Sequence, residues 1–195
     1  MKLFQGDLSS ASSKVRAGVD NINSGAKTTE EQISAFVADS ISALQGKGFD
    51  YVRSKMSLYL AAVNKLSSIT DMLANNVVQA NNFMANETQG YDLDTANIEE
   101  LEQRVTQIKS LISWYSQSVC VDDSVPDEEK KYKMRNAEMK AYYEEVLAVI
   151  EEKLDLLRRL PEISASAASL LGPISSDTGS FASGVNGITI SNISI

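Results

Sequence analysis

Apolar residues recur along most of this chain at alternating steps of three and four, the spacing that aligns one face of an α-helix. The first run takes in Leu8, Val15, Val19, Ile22, Ala26, Ile33, Val37, Ile41 and Leu44, with Ser12 and Thr29 filling polar steps. The rhythm weakens over Asn23-Ser24-Gly25-Ala26-Lys27. Thr28-Thr29-Glu30-Glu31 then has the form of a capping box, in which the Thr28 hydroxyl and Glu31 carboxylate close a new helix start. The pattern predicts two helical pieces with a break or kink between them. A second, cleaner run holds Phe49, Val52, Met56, Tyr59, Val63, Leu66, Leu73, Val77, Ala80 and Met84, with Thr70 in its one polar slot. A helix over 49–86 is about 57 Å long at 1.5 Å per residue. That is too long for a compact globule of this size, so an elongated antiparallel helical hairpin is expected.

Beyond it, Gln89-Gly90-Tyr91-Asp92-Leu93-Asp94 reads as a loop. A third helix follows, with Ile98, Leu101, Val105, Ile108, Ile112 and Tyr115 in register and Leu111 and Trp114 widening its apolar face. Val121 to Pro126 breaks it, and Pro126 with Asp127, Glu128 and Glu129 suits a new helix start. The fourth helix carries Tyr132, Met139, Tyr142, Val146, Val149, Leu154, Leu157 and Leu160. It is expected to end near Leu160, where Arg158 and Arg159 complement the helix dipole and Pro161 follows. The fold class is therefore all-α, a coiled-coil-like hairpin with a second, smaller helical pair. From 163 to 195 the chain is rich in Ser, Gly and Ile, with Asp177 as its only charge. Ile163 to Leu171 predicts one short helix before Gly172-Pro173, and Ile188, Ile190, Ile193 and Ile195 suggest a strand or extended tail. The domains read as 1–162 and 163–195.

Composition narrows the function. The net charge is −8, and by segment it is zero over 1–90, −3 over 91–120, −4 over 121–162 and −1 thereafter. No basic patch forms, which argues against nucleic acid because phosphates would be repelled. The chain has no histidine and one cysteine, Cys120, which reads as a small apolar residue near a helix end. Without histidine, most catalytic triads and the Glu-x-x-His ligands of di-iron bundles are excluded. Glu144-Glu145 and Glu151-Glu152, interleaved with lysines, read as a solvated helix face. Gly46-Lys47-Gly48 lacks the spacing of a phosphate loop. No enzyme, metal or cofactor is expected. MKLFQGDLSSASSK turns polar too early for a signal peptide, and no run approaches the length of a membrane span. A cytoplasmic product follows, with any export by a route that needs no cleavable signal.

Two features point to recognition. Leu58, Leu60, Ile69, Val78 and Phe83 add apolar character beside the main stripe of the second helix. They serve either contacts with other helices of this chain or docking of partner helices. The junction Leu44-Gln45-Gly46-Lys47-Gly48 reads as a hairpin turn, with Gly46 supplying the left-handed residue that ends a helix, Leu44 sealing the stripe and Gly48 permitting a tight reversal.

This junction between two long helices, followed by Gln89-Gly90-Tyr91-Asp92-Leu93-Asp94 before a Leu- and Ile-spaced helix and closing on Phe181 and Gly187-Ile188, resembles the LXG domain of Gram-positive polymorphic toxins. The resemblance runs in order along nearly the whole chain. It implies a non-catalytic N-terminal targeting region of an antibacterial toxin exported by the type VII secretion system. It also implies small α-helical accessory proteins, similar to the WXG100 hairpins, that bind its helices and form a complex the machinery recognises. On that reading a toxin domain would follow Ile195. The Tyr-x-x-x-Asp/Glu export signal of the hairpin proteins is absent. The nearest pattern is Phe83 with Glu87, which also reads as a core aromatic and a helix-end acid, so a partner is expected to supply the signal. A structural coiled-coil protein and a chaperone or immunity protein for a toxin are the other classes open at this point.

Overall fold

The computed structural model describes residues 1–117 and 127–186. Four long helices dominate: α1 (Gln5–Ala43), α2 (Lys47–Glu87), α3 (Ile98–Gln117) and α4 (Asp127–Ser169). They pack in pairs, α1 with α2 and α3 with α4. A fifth helix, α5 (Gly172–Asn186), follows, and a two-residue strand β1 (Lys2–Leu3) pairs antiparallel with β2 (Leu93–Asp94). The all-α expectation holds. The predicted break at Val121 to Pro126, Cys120, and the tail with Ile188, Ile190, Ile193 and Ile195 lie outside the described residues. The chain packs as two compact units. Among the described residues, one combines Met1–Gln5 with those of Glu87–Ser164; the other combines Gly6–Asn86 with those of 165–186.

The second unit is built on the α1–α2 hairpin, each helix about 60 Å long at 1.5 Å per residue. Here α1 differs from expectation: it runs through residues 23–27 without interruption. Thr28 does not cap a new helix. Its hydroxyl donates to the Ser24 carbonyl at 3.1 Å, and the Thr29 hydroxyl donates to Gly25 at 2.9 Å, both one turn back inside the helix. Continuity comes from the seam. Its positions advance by threes and fours from Leu8 through Ser12, Val15, Val19, Asn23, Ala26, Glu30, Ile33, Val37 and Ser40 to Leu44. Asn23 therefore sits where Ile22 was expected, and Ser40 where Ile41 was. Ile22 and Ile41 are exposed, Ile41 at 63%.

Polar pairs lock this seam. The Thr70 hydroxyl donates to Asn23 Oδ1 at 2.7 Å, and Asn23 Nδ2 donates to Asp71 Oδ1 at 2.7 Å. Asn81 Nδ2 donates to the Ser12 hydroxyl at 2.6 Å and to the Leu8 carbonyl at 2.9 Å. Arg53 donates to the Ser40 carbonyl at 2.9 Å. From Ser40 back to Asn23 is 17 residues, and from Arg53 to Thr70 is also 17. The next interval is 11 on both helices, Asn23 to Ser12 and Thr70 to Asn81. Both helices therefore rise in step, with no slip across Gly25, whose outward side has no neighbour within 4 Å. Further along α2, Asn76 Nδ2 donates to the Leu170 carbonyl at 3.0 Å, tying the chain after Ala165 to the hairpin.

The first unit has the densest core. Leu3, Leu93, Leu154, Leu156, Leu157, Leu160 and Ile163 are buried, together with the fully enclosed Thr88. The loop after α2 turns on two consecutive left-handed residues, Gln89 (φ 52°) and Gly90 (φ 74°). Asp92 then accepts the Gln5 backbone N–H at 2.8 Å, capping the start of α1, while Gln5 Nε2 donates to Thr88 and to the Tyr91 carbonyl. Lys2 and Asp94 pair across the strands at 2.9 Å. The Lys2 hydrogen bond, reinforced by the Ala96 N–H, holds the Asp94 carboxyl below its ordinary range.

In α4 the expected end at Pro161 is overturned. The helix continues to Ser169 with Pro161 inside it. Proline removes one helical N–H and crowds the carbonyl four residues back. Burial outweighs that cost, because Leu160, Ile163 and Ala167 continue the inward face across the proline. Arg158 and Arg159 consequently lie mid-helix and form ion pairs, Arg158 with Glu102 at 2.6 Å and Arg159 with Glu87 at 3.4 Å. The separate Ile163–Leu171 helix is absorbed into α4, and Gly172-Pro173 opens α5 rather than ending structure. The inward face of α3 is as expected, with Ile108 buried. That of α4 is rotated: Tyr132, Tyr142 and Val149 are exposed, while Asn136 is buried and Tyr143 stacks on Tyr115 at 5.7 Å.

Two stability measurements check this account. In a double-mutant cycle by chemical denaturation, Asn23→Ala should cost about 1 kcal/mol and couple to Thr70→Val, since both remove the same bond between the helices while the Thr70 hydroxyl keeps the Leu66 and Ser67 carbonyls of its own helix. Additive effects would separate the two residues. Asn136 Nδ2 is buried with no hydrogen-bond partner. Asn136→Leu should therefore raise stability by about 1–2 kcal/mol, and a drop in the denaturation midpoint would contradict that.

Candidate functional site

The hairpin turn is where the sequence concentrates its motif, and the backbone there is specialised. α1 closes with the Leu44 N–H bonded to the Ser40 carbonyl at 3.0 Å. Gly46 has φ +115°, a conformation that L-residues with a Cβ rarely adopt. Its carbonyl accepts the Phe49 and Asp50 N–H groups at 3.0 and 3.1 Å, so the residue that reverses the chain also starts α2. Leu44 is half-buried at the end of the seam. Gly48 lies within the first turn of α2 with ordinary φ, and takes no part in the reversal expected of it.

Arg53 completes the turn, and the sequence reading missed it. Its guanidinium donates from one nitrogen to the Ser40 and Leu44 carbonyls at 2.9 and 3.0 Å, and from the other to Asp50. The last turn of α1 contains no basic residue. The second helix thus supplies the cation that the first helix's C-terminal carbonyls attract. An arginine about one turn into a helix, opposite a helix end without its own cation, was the available signal.

The five residues nominated as a partner face do not form one surface. At about 100° per residue, Leu58, Ile69 and Phe83 fall on one line of α2, with Leu60 and Val78 on nearly the opposite line. Leu58 is 47% exposed and Ile69 is buried, while Leu60, Val78 and Phe83 are half-buried. Phe83 and Glu87 remain one turn apart, with Glu87 paired to Arg159 at 3.4 Å. The open apolar positions lie on α1 as well. Ile22 and Phe36 are exposed and share a line with Gly18, Gly25 and Thr29, beside the seam rather than in it. The hydrogen-bond register puts Phe36 and Leu58 at about the same level of the hairpin. These side chains can recognise by area and register; they do not converge on a reacting atom.

Among the described residues no group of three or more Cys, Asp or Glu could hold a metal ion, and no helix is long and apolar enough to cross a membrane. Comparison with known proteins returns no matching family model, curated protein or solved structure.

The turn yields one prediction. Arg53→Ala should lower stability by about 2 kcal/mol by releasing two carbonyls and Asp50. Gly46→Val should cost about 1–2 kcal/mol through backbone strain. Melting curves for both variants check it; an unchanged midpoint for Gly46→Val would mean the positive φ is not required.

Proposed function

We propose that this chain is a non-catalytic targeting domain of a secreted antibacterial toxin, of the LXG kind. It binds small α-helical accessory proteins through its long helices, and the assembled complex is what the type VII secretion system recognises. What supports the reading is the agreement between motif and architecture. Leu44-Gln45-Gly46 forms the reversal between two helices of 39 and 41 residues, and Gln89 to Asp94 follows the second of them. The exposed Ile22, Phe36 and Leu58 on that hairpin are the kind of surface a partner helix covers. The absence of histidine favours recognition over chemistry.

Two measurements in one strain carrying the secretion system and the accessory genes test this. Cells expressing residues 1–195 alone should grow normally, and a reporter fused after Ile195 should be exported. Growth arrest would count against a non-catalytic role. Retention of the reporter with every accessory protein present would remove the targeting role.

A further inference from the structure

We draw no further inference here: the strongest candidate, the open apolar groove between α3 and α4 lined by Arg104, Val146, Val149 and Ile150 with the exposed Tyr142 on the same face of α4, is an unpartnered surface, and nothing in the structure shows what covers it.

Discussion

The hydrogen bond between Thr70 and Asn23 is the constraint on which the hairpin depends. Most of the seam consists of Val, Leu, Ala and Ser, side chains that tolerate sliding by a heptad with little loss of contact. A half-buried amide facing the buried Thr70 hydroxyl tolerates it less well, because a slip breaks the bond between the helices and leaves the hydroxyl only the Leu66 and Ser67 carbonyls of its own helix. Together with Asn81 on Ser12 and Arg53 on the Ser40 carbonyl, this pair selects one register from several of similar apolar burial. The same pair explains why α1 stays whole: a kink at Gly25 would change the rise between Asn23 and Ser40 and carry Arg53 away from the carbonyls it caps.

The first unit is held differently. Its leucines supply ordinary apolar burial, and that burial is strong enough to keep a proline within a helix. The ion pairs of Arg158 and Arg159 run along the exposed flank and contribute modestly, as surface pairs do. Specificity in this unit comes from the loop after α2, where two left-handed residues aim Asp92 at the first N–H of α1 and bring Leu93 inward.

How much of this the sequence disclosed depends on which interaction decided each element. Helix α2 and the inner face of α3 were legible because apolar periodicity alone determines them. The fate of residues 23–27 was not, since a capping box and a mid-helix Thr-Thr pair look alike until the facing helix is known. Pro161 misled for the same reason: local propensity argues for an end, and the buried Leu160 and Ile163 override it. Within the site, Gly46 was legible as a conformational requirement of its own backbone. Gly48 was assigned a share of a turn that one glycine suffices to make. Arg53 acts across the turn on another helix, and Ile69 is buried by tertiary packing. No single-helix pattern contains either fact.

The contact between Gln5 and the loop at Thr88 to Asp92 joins residues more than eighty positions apart. For a flexible chain, closing a ring of that size costs about 4 kcal/mol in entropy, more than a few hydrogen bonds return. Once α1 and α2 are zipped in register, their outer ends already lie side by side and that entropy has been spent. The clasp is then a local event, comparable to closing a short turn. Each of its hydrogen bonds is then set against the fixing of only the few residues around Gln5 and the loop.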